Sequence, residues 1–388
     1  MEHCLDYLEK LVSFDTVSGT APEKNSPNRP LIEWMAAEAA SWGAGTTIFD
    51  VAPGKACLYV RLGGRAERFE GLLLTGHSDT VNCNAERWTS DPWTLTRRNG
   101  RVYGLGSCDM KGFLAVAMAL MREKARKGEG LGKGLALLVT CDEETSMQGA
   151  RHCVPLLQAA GAAPGLIVVG EPTGMTPIFG HKGFMGRRVV IRGEGAHSSD
   201  PTKGVNAIKT AARWVSEMNA LEKAMQSFRD PEFEAPGTPG VPYPTLNLGT
   251  IRGGDSVNRV CAEVSVTFDV RPMPAWDAQK AQQALEDVVS RVNAAGEGVA
   301  AVEALYPDIP PFSNRHAAVR EAVEVATGAT GAFVSYCTEA GFMEALGPTV
   351  VLGPGSINQA HGVDEFTELA QFERAAKVLR TLCRQFAV

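Results

Sequence analysis

The sequence predicts an α/β protein: a mixed, largely parallel sheet flanked by helices, with an α+β domain inserted into it. Three observations predict this class. First, four short runs are apolar throughout: LLLT at 72–75, LALLVT at 135–140, LIVVG at 166–170 and TVVLG at 349–353. Unbroken runs of that length read as central strands covered on both faces. Second, these runs alternate with stretches of helical apolar spacing, the pattern of strand–helix–strand units. Third, the pattern changes near residue 182. GRRVVIRGEGAHSS at 186–199 and AEVSVTFDVRP at 262–272 alternate apolar with polar residues, as antiparallel strands with one solvated face do.

Taken in order, helices are predicted at 2–13, 29–42, 112–127, 147–160, 204–222, 276–294, 315–327 and 366–385, from apolar spacing and flanking Gly, Pro or Asn. The inserted domain is expected at 182–308, leaving 1–181 and 309–388 as the main domain. FRDPEFEAPGTPGVPYPT at 228–245 is rich in Pro and Gly and reads as a loop within the insertion. A chain of 388 residues exceeds the size at which one core stops growing, which agrees with two domains.

Composition excludes several classes. Hydrophobic residues make up 44% and charged residues 21% of the chain, the balance of a soluble globular protein. No apolar run approaches the roughly 18 residues of a membrane helix. The opening MEHCLDYLEK lacks the basic flank and apolar block of a secretory signal, so a cytoplasmic protein is expected. Nine scattered cysteines without a C-x-x-C pair indicate reduced thiols rather than a disulfide framework or a zinc knuckle. A net charge of −6 without a basic cluster argues against nucleic acid and favours a small-molecule ligand.

Each central strand is followed by a residue able to bind metal. His77 and Asp79 follow the first, Asp142, Glu143 and Glu144 the second, Glu171 the third and His361 the fourth, while Asp109 precedes an apolar helix. Strand ends of a parallel sheet share one edge, so these residues would converge on one crevice. Taken singly, each has an ordinary account: Asp109 as a helix N-cap, DEE at 142–144 as a solvated turn, the histidines as loop residues. Together they place several carboxylates in one site, where like charges cannot all ionise without cations. Two histidines among carboxylates suit zinc, cobalt or manganese better than calcium. The GLGSCD fragment is a weak nucleotide signature, and no G-x-S-x-G, H-E-x-x-H or Walker loop occurs.

With these segments in view, the chain resembles the M20 metallopeptidases, the di-zinc aminoacylase and carboxypeptidase group. The resemblance runs over nearly the whole length. It is carried by GHSDTV (76–81), RWTSDPWTL (87–95), VYGLGSCDMKGF (102–113), TCDEETSMQGA (140–150), VVGEPTGMTPIFGHKG (168–183) and GAHSSDPTKGVNAI (195–208). LNLGTIRGGDSVNRV (246–260), FDVRPMP (268–274), YCTEAGF (336–342) and LGPGSINQAHGVDEF (352–366) point to its acetylornithine branch. The resemblance implies a zinc-peptidase-like fold whose inserted domain serves dimerisation and as a lid. It implies two divalent ions per chain, with His77 and Glu171 on one, Glu144 and His361 on the other, and Asp109 bridging. Glu143 is then the general base, and Asp79 the carboxylate that orients His77. His197 is implied as an oxyanion donor delivered by a partner subunit, hence a homodimer, and Asn258 and Arg271 as holders of the substrate carboxylate. A structural pairing within a strand remains open for those last two. A cis Asp109–Met110 peptide is also implied. Ser78 and Cys108 depart from the common threonine and alanine without replacing a ligand. The implied activity is hydrolysis of an N-acyl amide. Other M20 activities, such as succinyl-diaminopimelate desuccinylase, general N-acyl amino acid hydrolase or dipeptidase, and an inactive binding relative, stand as alternatives.

Overall fold

The computed structural model describes residues 2–65, 68–128, 130–234 and 240–388. The chain divides into two compact units. One comprises Met1–Phe179, Asn314–Ala332 and Thr338–Val388, the other Gly180–Ser313 and Phe333–Cys337.

In the first unit the sheet runs in the order Gly45–Ala52, Lys55–Leu62, Leu135–Thr140, Leu72–His77, Leu166–Pro172, Thr349–Gly353. The last four are mutually parallel neighbours, and they are the four apolar runs of the sequence. Every residue of these four strands is buried, because helices cover both faces and leave no polar side to alternate with. The first two strands are antiparallel additions, so the sheet is mixed with a parallel centre. Gly45–Ala52 lies at the edge with five of its eight residues exposed, and its sequence carries no run long or apolar enough to read. Helix Lys111–Lys127 packs on Glu2–Val12 and Leu369–Phe386, and Arg29–Ser41 on the two antiparallel strands. All eight predicted helices form, with ends displaced by at most three residues.

The second unit holds a four-stranded antiparallel sheet in the order Thr245–Gly253, Glu263–Arg271, Met185–Arg192, Val299–Ala304. Helices Ala207–Met225 and Ala278–Ala294 contribute to one core with it, in which Trp214, Met218, Val189, Ile191, Val266 and Phe268 are buried. The alternation read in the sequence is the alternation of burial along Glu263–Arg271. Asn206 and Asp277 cap the two helices, accepting from the backbone N–H of Ile208 and Lys280. The run expected at 186–199 stops as a strand at Arg192. Beyond it Gly193 approaches Val205 so closely that a Cβ would lie 2.0 Å from its carbonyl oxygen. Only glycine fits there, and the next residue, Glu194, pairs through its backbone with Val205. Of the loop expected at 228–245, residues 235–239 lie outside the described residues, and Thr245 already begins a strand.

Candidate metal centre

The carboxyl ends of the four parallel strands carry the chemistry of the first unit. His77 is the last residue of its strand, and Glu171 is the penultimate residue of Leu166–Pro172. Glu143 and Glu144 follow Leu135–Thr140 by three and four positions, after Asp142, whose φ of +57° turns the chain sharply. Asp109 immediately precedes helix Lys111–Lys127 across a cis peptide to Met110. His361 lies in the segment beyond Thr349–Gly353.

These residues meet. His77 Nε2 lies 3.2 Å from Asp109 Oδ1 and 3.9 Å from Glu171 Oε1. His361 Nε2 lies 3.3 Å from Asp109 Oδ2 and 3.0 Å from Glu144 Oε1. The two oxygens of Asp109 thus face two different histidines. Two sets of possible ligand atoms lie within 4.8 Å of one another: His77, Glu143 and Glu171, and His77, Asp109 and Glu144. Glu143 is therefore within reach of the same centre as the expected ligands.

The supporting contacts define how each group is presented. His77 Nδ1 lies 2.9 Å from the carbonyl oxygen of Asp79. That oxygen can only accept, so Nδ1 carries a proton, and Nε2 is the ring atom turned toward Asp109. The expected contact through the Asp79 carboxylate is longer, at 3.7 Å. Its two oxygens instead accept the backbone N–H groups of Glu143 and Glu144, at 3.3 and 3.2 Å. Asp79 thus orients His77 through its main chain and the two glutamates through its side chain. Asp142 points away from the ligand set: its Oδ1 pairs with the buried Lys55 ammonium at 2.9 Å and accepts from Ser18 Oγ. Ser78 Oγ donates to the Thr140 carbonyl and accepts from the amide of buried Asn28, joining neighbouring strand ends.

The electrostatics describe a centre with too much negative charge. Burial, reinforced by neighbouring carboxylates, pushes Glu143 and Glu171 well above the usual carboxylate range, and Glu144 upward. Burial pushes Asp109 upward too, but hydrogen bonds with His361 and His77 outweigh it and hold Asp109 low. Hydrogen bonds with Asp109 and Glu144 push His361 up to about 10. In His77 burial opposes protonation, and its carboxylate neighbours outweigh that opposition. Glu171 Oε1 is buried without a hydrogen-bond partner among the described residues, a costly state for a carboxylate oxygen. Divalent cations fit this donor set of imidazole nitrogen and carboxylate oxygen, and would relieve both the repulsion and the unpartnered oxygen.

Two further buried carboxylates surround the centre, and the sequence marks neither. Glu339 Oε2 accepts from Thr140 Oγ1 at 2.7 Å, and burial pushes its pKa up to about 7. Glu365 accepts from the backbone of the Asp109 loop. Lys55, Asn28, Glu339 and Glu365 look in sequence like ordinary surface residues, and only their burial at 4%, 0%, 1% and 2% exposure marks them.

The remaining expected residues lie in the second unit. His197 is exposed, with Nδ1 2.7 Å from Ser199 Oγ, and pairs through its backbone with Arg259, beside exposed Asn258. Arg271 is half-buried, donates to Asp269 Oδ1 at 3.2 Å and stacks 4.4 Å from the Phe184 ring centroid. Asn258 precedes strand Glu263–Arg271 and Arg271 ends it. The nine-residue strand therefore lies between them.

Comparison with known proteins agrees with this architecture. Residues 73–385 match the model of peptidase family M20/M25/M40. The chain is 38% identical to acetylornithine deacetylase of Proteus mirabilis (strain HI4320), covering 99% of this chain and 97% of that protein. It is 39% identical to acetylornithine deacetylase of Vibrio campbellii (strain ATCC BAA-1116), over 93% of each. Among solved structures, a tripeptidase from Staphylococcus aureus superposes with a TM-score of 0.72 at 20% identity, covering 100% of this chain and 98% of that one. A dinuclear metal binding M20 peptidase from Bacillus subtilis superposes with a TM-score of 0.69 at 14% identity, covering 98% and 97%. With the family model matching most of its length and relatives similar from end to end, the chain belongs to peptidase family M20/M25/M40 and is a metal-dependent amidohydrolase.

Proposed function

We propose that this enzyme hydrolyses the acetyl amide of N2-acetyl-L-ornithine to L-ornithine and acetate, as a cytoplasmic homodimer. The observation that carries the reaction type is Asp109, whose two carboxylate oxygens face His77 and His361 from one buried position. The substrate follows from end-to-end similarity to two acetylornithine deacetylases.

His77 and Glu171 would hold one divalent ion, Glu144 and His361 a second, and Asp109 would bridge them. Zinc suits these donors, with cobalt or manganese as alternatives. Such ions, when bound, polarise the acyl oxygen and acidify water at neutral pH. Glu143 is the base: it takes a proton from the attacking water as the new carbon–oxygen bond forms. When the carbon–nitrogen bond breaks, Glu143 returns that proton to the leaving α-amine, so atoms and charge balance. Asp79 holds the backbone of Glu143 and keeps the base at the acyl carbon.

The oxyanion requires a further donor. His197 and Asn258 sit together on an exposed rim of the second unit, and we assign both to the active site of a second copy of the chain. Arg271 is assigned to the substrate's α-carboxylate, its guanidinium fork suiting bidentate contact. Dimerisation is supported by strand Thr245–Gly253, which edges the four-stranded sheet and is largely exposed. Beside it runs an apolar groove of about 480 Å³ lined by Ile208, Ala211, Val215, Ile251 and Val264, with Ile208 and Ile251 53% and 63% exposed. An open strand edge flanked by apolar side chains suits a second copy of itself.

The test is hydrolysis by the purified, zinc-loaded protein. N-acetyl-L-ornithine should be turned over at least as well as other N-acetyl amino acids and far better than N-succinyl-diaminopimelate. A clear preference for the succinyl substrate or for dipeptides would overturn the substrate and leave the reaction class.

A further inference from the structure

Glu365 is 2% exposed and lies four residues beyond His361. Its Oε1 accepts from the backbone N–H of Cys108 at 2.8 Å and of Asp109 at 2.9 Å, and its Oε2 from that of Gly106 at 2.9 Å. Its own carbonyl oxygen accepts from Gly104 N at 3.2 Å. One side chain therefore ties down the loop that delivers Asp109, using the segment that delivers His361. The loop is shaped to receive it. Gly106 has a φ of +80°, and a Cβ there would lie 2.9 Å from both Lys111 Cδ and Thr80 Cγ2, so only glycine lets its N–H turn toward the carboxylate.

A purely structural clasp between two loops does not need a carboxylate. Thr367 Oγ1 already donates to the Ser107 carbonyl at 2.9 Å, and strand Phe366–Glu368 pairs with Arg101–Tyr103. Placing a buried carboxylate one hydrogen bond from Asp109, in a centre already overloaded with carboxylates, costs stability unless it serves that centre. Its two acceptor oxygens divide three N–H groups between them, a geometry that an amide, with one acceptor, cannot reproduce.

We infer that Glu365 is a positioning residue of the metal centre, locking the Asp109 loop to the His361 segment and so setting the spacing at which these two ligands meet the cations. The inference rests on the dinuclear reading above. It is tested by zinc titration against a chromogenic chelator for wild type, Glu365→Gln and Glu365→Asp, together with thermal unfolding of each in excess chelator. Glu365→Gln keeps the volume and loses one acceptor; Glu365→Asp keeps the charge and shortens the reach. Both variants should unfold in chelator within a few degrees of wild type, yet bind the more weakly held zinc about 10–100-fold less tightly, the cost usual for a group that orients a metal ligand. Wild-type affinity in both variants would overturn the inference, and so would an affinity loss matched by an equal loss of metal-free stability. Wild-type affinity in Glu365→Asp alone would assign the effect to charge and equally overturn a positioning role. A wild-type protein that binds fewer than two ions would instead overturn the dinuclear reading itself.

Discussion

The strand-end cluster of the first unit and the His197 rim of the second contrast in how they hold their functional groups. In the cluster, His77, Asp109 and Glu171 are at most 6% exposed, and each sits on a strand end or helix start whose backbone is itself hydrogen-bonded. Asp79 anchors Glu143 and Glu144, Glu365 anchors the Asp109 loop, and the Asp79 carbonyl anchors His77. On the rim, His197 and Asn258 are exposed, and the contacts of their side chains are to the serines Ser199 and Ser256. A buried, repelling set of carboxylates persists only where the fold constrains it on every side. An exposed histidine held by one serine becomes a fixed oxyanion donor only when something else covers it. The cluster carries its own order, and the rim has no comparable anchoring among the described residues.

The largest test of this contrast is Glu143→Ala. Turnover should fall by about 10²–10⁴-fold or more, while atomic absorption still finds two ions per chain, because Glu143 is assigned to proton transfer rather than ligation. Loss of an ion in this variant would make Glu143 a ligand.

Next comes His197→Ala, expected to lower turnover by about 10²–10³-fold with metals retained. Mixing it with Glu143→Ala under conditions of subunit exchange should restore activity, approaching one working site per mixed dimer. Proven exchange without recovery would show that His197 does not act across an interface and would erase the contrast.

Ile251→Lys addresses the same point from the surface. It places a charge on the exposed strand edge, so sedimentation should find monomers, with turnover reduced toward the His197→Ala level and metal content unchanged. A fully active monomer would refute the partner-supplied donor.

A smaller effect is expected for Arg271→Ala, a rise in KM of about 10–100-fold from the loss of charge-assisted hydrogen bonds to a carboxylate. If Arg271 serves only as the partner of Asp269, stability falls and KM does not move.

The smallest is Glu339→Gln, read as metal-free stability against pH. Burial raises the folded pKa of Glu339 from 4.5 to about 7. A raised folded value means that its contribution is fully present below about pH 4.5 and is lost as pH rises through about 7, a span worth at most about 3 kcal/mol. The variant should lack this loss and be the more stable protein at pH 8 in chelator. Parallel pH profiles would show that Glu339 is not buried in its acid form.

The sequence by itself determined the parallel centre of the sheet, because strands covered on both faces must be apolar throughout, and the four such runs are the four parallel neighbours. It also determined which residues could gather at the shared edge, since parallel strands bring their carboxyl ends together whatever their separation in the chain. The exposed edge strand Gly45–Ala52 left no such trace, as pairing on one side only imposes little pattern. Tertiary structure alone decided which atoms do what. The Asp79 carbonyl lies closer to His77 than its carboxylate does, because the carboxylate is taken up by the Glu143 and Glu144 amides. Asp142 is spent on Lys55, so the acidic triplet supplies two residues to the centre rather than three. Asn258 and Arg271, thirteen residues apart in sequence, have the strand Glu263–Arg271 between them, with Arg271 at its far end. Glu339 and Glu365 are invisible as site residues in the sequence, because a glutamate's role depends on burial and on which N–H and O–H groups surround it, and both arise only when distant segments pack.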